Sequence, residues 1–145
     1  MRKLLLFVIA GLVIPNVALA KGPNPSKGPH GNKGKAKVQY VLKGTLSSYS
    51  AYDSSTSTSG SITIDVTRAN RHARALRNMS LSFSGMITSS TRVVLRNGVT
   101  VVADNDSGIV KIRAPKEPKN ITSSDLATIL TGMPVRQIVD QGPTS

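Results

Sequence analysis

Apolar and polar side chains alternate with a period of two along much of this chain. The pattern is clearest at residues 61–67, where Ile62, Ile64 and Val66 share one face while Thr63 and Asp65 take the other. That is the signature of a half-buried strand. Residues 38–46 repeat it, with Tyr40, Leu42 and Leu46 sharing a parity with Gly44, and Gln39 and Lys43 falling opposite. Further strands are expected at 80–85, with Leu81 and Phe83 inward, and at 92–95, 99–103 and 108–114. Asn97-Gly98 lies between two of these runs, and because both residue types tolerate positive φ, the pair predicts a tight antiparallel hairpin joining 93–96 to 99–102. Residues 104–108 predict a second turn, and the Ser/Thr-rich stretch 47–60, which holds Tyr49 and Tyr52, predicts a long connection.

After Pro115 and Pro118 the grammar changes. Thr122 and Asp125 have capping-box spacing, Ile121 and Leu126 are placed to staple across it, and Leu126, Ile129 and Leu130 continue an apolar face. A helix of about two turns is therefore predicted, ended by Gly132 in the left-handed conformation, with Pro134 turning the chain into an extended segment 135–139. So short a helix is unstable alone and should dock on the sheet or across one end of a barrel. Taken together, these elements predict a mainly β domain over 38–139. Its expected form is a small antiparallel, partly open β-barrel with one short C-terminal helix, a β-sandwich being the alternative.

The two ends follow different patterns. Met1-Arg2-Lys3, an apolar run from Leu4 to Ile14 and Ala18-Leu19-Ala20 have the layout of a secretory signal peptide over residues 1–20. The apolar run is 11 residues long, against the ~20 that span a bilayer. Residues 21–37 carry Lys21, Lys27, Lys33, Lys35 and Lys37 among prolines and glycines, with no acid and no aromatic, which predicts a disordered basic arm. Residues 140–145 are expected to form a flexible C-terminus. No cysteine is present, which excludes a lipid-modified cysteine, disulfides and thiolate metal sites, so packing and backbone pairing alone must hold the fold.

Charge sharpens the picture. Signal cleavage removes Arg2 and Lys3 from the 19 basic residues and none of the 7 acidic ones, leaving a formal charge of about +10. The densest cluster is Arg68, Arg71, Arg74 and Arg77. On a helix the first three are spaced to form one basic stripe, with Ala69, Ala73 and Leu76 facing the body. Guanidinium forks suit phosphate, sulfate or carboxylate, so these arginines, together with Lys33, Lys35 and Lys37, are the candidate anion-binding residues. The competing reading is a solvated connector that uses arginine for solubility and bridging.

Catalytic chemistry is not legible. His72 sits among arginines as a lone packing or surface histidine, His30 lies in the arm, and no serine occupies a Gly-x-Ser-x-Gly elbow. Asp104, Asn105 and Asp106 lack the glycine and distal glutamate positions of an EF-hand, so an Asx-rich turn is the better reading. No metal or cofactor is implied, and the chain reads as a non-enzyme.

The strand Tyr40-Val41-Leu42-Lys43-Gly44-Thr45-Leu46 carries a resemblance together with two other segments. One is Ile62-Thr63-Ile64-Asp65-Val66-Thr67 leading into Ala69-Asn70-Arg71-His72-Ala73-Arg74-Ala75-Leu76, and the other runs from Asp125-Leu126 through Gly132 to Val135 and Val139. They resemble a class of exported bacterial β-barrel domains of unknown function whose shape is similar to oligonucleotide-binding barrels. The chain departs from that pattern at Met133-Pro134, where many relatives would carry an acidic pair. The resemblance implies a bacterial, extracytoplasmic setting in the periplasm, the cell wall or outside the cell. An anionic envelope polymer or another extracytoplasmic protein is then the expected partner. Nucleic acid ranks lower, because stacking platforms are scarce: Tyr40, Tyr49, Tyr52 and Phe83 are the aromatics left after export.

Overall fold

The structure, a computed structural model, describes residues 34–78, 82–96 and 98–143. The expected signal peptide, the expected basic arm up to Lys33, Leu81 and Asn97 lie outside the described residues. Six strands form one mixed sheet in the order β3-β2-β1-β5-β6-β4: β1 Lys37–Ser50, β2 Gly60–Ala69, β3 Phe83–Ile87, β4 Arg92–Leu95, β5 Asp106–Pro115 and β6 Val135–Pro143. The sheet curls into a half-barrel, and a parallel bridge between Met86 and Pro134 draws β3 toward the start of β6. A single curled sheet is the partly open barrel expected from the pattern, and it displaces the sandwich alternative.

Alternation sets the inner face. Tyr40, Leu42 and Leu46 of β1, Ile62 and Ile64 of β2, Phe83 and Ile87 of β3, and Val110, Ile112 and Ala114 of β5 are all buried. Two glycines let the sheet bend this tightly. At the register shift after Lys43, a Cβ on Gly44 would lie 1.8 Å from the Asp65 carbonyl oxygen, and one on Gly108, which faces Gly44 across β1 and β5, would lie 2.4 Å from Leu46 Cδ2. The buried Tyr40 hydroxyl donates to the Pro115 carbonyl at 2.8 Å and accepts from the Glu117 amide at 3.1 Å, so the chain leaving β5 is tied back to β1.

The helix α1 spans Ser123–Thr131 and starts as predicted. Thr122 is the N-cap: its Oγ1 accepts from the Asp125 amide at 3.2 Å and donates to Asp125 Oδ2 at 2.7 Å. Leu126 and Leu130 enter the core, and α1 packs on β3 and on a short 3₁₀ helix, Arg74–Asn78. Gly132 ends the helix differently from the expectation. Its φ of −75° and ψ of −5° are right-handed, because the Met133 amide bonds the Leu130 carbonyl in a tighter last turn.

Three boundaries also move, and one pairing differs. β1 extends to Ser50, which shortens the expected 47–60 connection to a tip closed by paired Asp53 and Thr58. Lys37 opens β1, paired with Pro115, so the last residue assigned to the basic arm belongs to the sheet. β6 continues through residues 140–143, expected as a flexible tail, because Asp140 pairs with Gly108 and Pro143 with Asp106. The antiparallel strand pair expected across Asn97-Gly98 does not form, although the tight turn between Arg96 and Val99 does. β4 runs parallel to β6 instead, so the barrel is mixed rather than wholly antiparallel. The turn itself is closed, with the Val99 amide bonding Arg96 O at 3.1 Å, but residues 99–103 do not go on to pair with β4, because the Arg96 amide bonds Asp140 O at 3.0 Å and the Ala103 amide bonds Asp140 Oδ2 at 3.3 Å.

Candidate anion-binding grooves

Residues of outward parity build a groove on the convex side of the sheet. Lys37 and Gln39 come from β1, Arg113 from β5, Arg136 and Gln137 from β6, and Arg92 from β4, with Ser90 at its rim; its volume is about 520 Å³. Register explains the convergence. Gln39 faces Arg113 across β1 and β5, Lys111 faces Gln137 across β5 and β6, and Gln137 faces Arg92 across β6 and β4. A bulge between Lys111 and Ile112 makes Arg136 an extra residue on β6, so Arg136 and Gln137 both turn outward while Val135 and Ile138 stay buried. Lys111 Nζ donates to Gln137 Oε1 at 2.9 Å, which leaves the Gln137 amide nitrogen as a donor toward the groove.

No acidic residue lines this groove. Among the described residues one ion pair forms, Lys35 with Glu117 at 3.2 Å, and it lies outside the groove. Lys37, Arg92, Arg113 and Arg136 are therefore four unneutralised cations on adjoining strands, an arrangement whose mutual repulsion an anion relieves.

The arginine segment is arranged otherwise. Arg68 is the last residue but one of β2, directly opposite Lys43, Arg71 and His72 occupy a turn, and Arg74 and Arg77 sit on the 3₁₀ helix, so the expected single helical stripe does not form. Asn70 is the cause. Its amide donates to Val41 O at 3.0 Å, its Nδ2 to Gln39 O at 2.7 Å, and its Oδ1 accepts from the Ala73 amide at 3.1 Å, which holds the chain on β1 and delays the helical turn. The expected inward residues do face the body: Ala69, Ala73 and Leu76 are buried.

Among the described residues no single cleft gathers all four arginines. Arg68 and Arg77 join Lys43 around a cleft of about 460 Å³, Arg71 and Arg74 join Lys116, Glu117 and Lys119 around another of about 520 Å³, and Arg74 and Arg77 share a third of about 390 Å³ with Lys119. Arg77 is committed to structure, since Nε and Nη2 both donate to Ala69 O, at 2.9 and 2.5 Å. His72 accepts from Arg71 Nε at 3.3 Å, and its ring stands edge-on to Tyr40 at 6.1 Å between centroids. Of the predicted lysines, Lys33 lies outside the described residues, Lys35 pairs with Glu117, and Lys37 lines the sheet groove. Arg92, Arg113 and Arg136 are the residues that sequence reasoning missed. Arg113 carried a signal, its outward parity between Ile112 and Ala114, but its partners on β6 and β4 depend on register.

Two carboxylates depart from ordinary behaviour. Asp106, expected in a surface turn, opens β5 at 7% exposure beside the fully buried Asp140. Desolvation first, then repulsion and a shared hydrogen bond with Asp140, raise the Asp106 pKa. Asp140 in turn accepts from the Gly142 amide at 2.9 Å and the Ala103 amide at 3.3 Å, clasping the β4–β5 connection to β6. Asp53, exposed at the β1–β2 tip, is held down at about 2 by hydrogen bonds from the side chains of Ser55 and Thr56 and from the Ser55 amide.

Comparison with family models, with curated proteins and with solved structures finds no match to this chain.

Proposed function

We propose that this chain is an exported, non-catalytic module that binds an anionic polymer through the basic outer face of its half-barrel. The observation that carries the reading is the sheet groove. Four cations from β1, β5, β6 and β4 meet there without an acid, and the strands that bring them are fixed by a largely apolar inner face. Such an array holds a polyanion by several weak charge-assisted contacts at once, and the binding weakens as salt screens them. Export rests on the layout of residues 1–20, and the resemblance to exported bacterial barrels points the same way. The test is equilibrium binding of the purified protein to anionic and neutral polymers at about 0.15 M salt and across a salt series. Saturable binding to anionic polymers alone, falling as salt rises, is the expected outcome. Equal binding to neutral polymers, or none to any polyanion, overturns the reading.

The second reading is an envelope protein-interaction module. It draws on β4, a four-residue strand at one edge of the sheet whose Val93, Val94 and Leu95 are only partly buried. An open edge accepts an added strand. Charge changes in the groove leave such an interaction intact, whereas a proline at Val94 abolishes it.

A further inference from the structure

Resting on the anionic-polymer reading, the geometry points to the class of polymer: we infer that the sheet groove takes an acidic polysaccharide lying across the strands. The cations stand one to a strand on four consecutive neighbours, Lys37 on β1, Arg113 on β5, Arg136 on β6 and Arg92 on β4. Register sets them on a diagonal. Lys37 is level with Pro115, Arg113 is two residues further along β5, and Arg136 and Arg92 fall near Lys111. With strands ~4.8 Å apart, an extended chain crossing the sheet meets a new positive charge at every strand. Guanidinium forks pair equally with carboxylate, sulfate or phosphate, so the spacing of charges, not the identity of one anionic group, is what the array reads.

Neutral donors and acceptors decide between polymers. Gln39, Gln137 and Ser90 lie among the cations, and amide and hydroxyl groups there match the hydroxyls of a sugar chain. Polyphosphate accepts from their N–H and O–H groups but has no donor for the amide and hydroxyl oxygens, whereas a sugar hydroxyl serves both. Single-stranded nucleic acid wants an exposed aromatic on which its bases stack, and none lines the groove. The aromatics of the domain are used elsewhere: Tyr40 and Phe83 are buried, and Tyr49 and Tyr52 pack partly against the core.

The experiment compares the affinity of the protein for a carboxylated glycan, a sulfated glycan, polyphosphate and single-stranded DNA, matched in total charge, at about 0.15 M salt. Two variants accompany it, a triple Arg92→Gln, Arg113→Gln, Arg136→Gln and a double Gln39→Ala, Gln137→Ala, each checked for an unchanged thermal transition. The expected result is that an acidic glycan binds about tenfold or more tighter than DNA and polyphosphate. The triple variant loses on the order of 100-fold for the glycan, and the double variant loses several-fold for the glycan and less for polyphosphate. Parity or preference for DNA or polyphosphate overturns the polysaccharide assignment and leaves polymer binding standing. Undiminished glycan binding by the triple variant overturns the groove. Absence of binding to all four polymers overturns the reading on which the inference rests.

Discussion

The sheet groove and the arginine segment 68–77 are two basic regions built in opposite ways. Arg68, Arg71, Arg74 and Arg77 are close in sequence, yet the end of β2, a turn fixed by Asn70 and a 3₁₀ helix spread them over several clefts with two in each, and Arg77 is spent on the Ala69 carbonyl. Lys37, Arg92, Arg113 and Arg136 are scattered along the chain, yet strand pairing gathers them. Charge density in a sequence therefore describes a surface only where the local backbone is regular, while on a sheet the surface is set by register.

If register makes the groove, the largest effect should come from breaking register. Gly44→Ala forces a Cβ against the Asp65 carbonyl and is expected to destabilise the domain by about 3 kcal/mol, read by chemical denaturation, with polymer binding lost in proportion to the unfolded fraction. A neutral result would mean that the β1 bulge does not fix the pairing. Next in size is the contrast between the regions themselves. Replacing Arg92, Arg113 and Arg136 should cost on the order of 100-fold in polyanion affinity, whereas Arg71→Ala with Arg74→Ala should cost only a few-fold, each by isothermal titration. Equal losses would erase the distinction. Arg77→Ala should lower stability by about 1 kcal/mol, because the Ala69 carbonyl loses its charged donor, while Arg136→Ala leaves the melting temperature nearly unchanged.

The smallest effect concerns pH. Asp106 holds its proton more tightly in the folded protein than at the ordinary value of 3.8, so the stability it supports is present below that value and is lost as pH rises through the raised one. Asp53 acts in the opposite sense: its contribution is present above 3.8 and disappears as pH falls through about 2. Denaturation curves of Asp106→Asn should therefore show a flatter decline above pH 4 than the parent, and an unchanged slope would remove Asp106 as its source.

Much of the framework was legible because it follows from period and local chemistry. The 61–67 alternation gave β2, the Thr122–Asp125 box placed the start of α1, and the inward parity of Tyr40, Leu42 and Leu46 anticipated the core. What escaped was long-range pairing. Asn97-Gly98 looked like a hairpin because its turn chemistry is local, but the parallel β4–β6 contact and the Asp140 clasp on Ala103 are made by a strand near the far end of the chain. Asp106 read as a turn residue for the same reason, since its neighbour Asp140 is supplied by β6. The groove depended on three pairings and one bulge at once, none visible along a single strand.

The most direct test is a map of backbone amide shifts during titration with an acidic oligosaccharide. Perturbations concentrated at Lys37, Gln39, Arg92, Arg113, Arg136 and Gln137, with residues 71–77 little changed, are what the groove predicts. Shifts concentrated at 71–77, with the outer face of β1, β5, β6 and β4 silent, would contradict it.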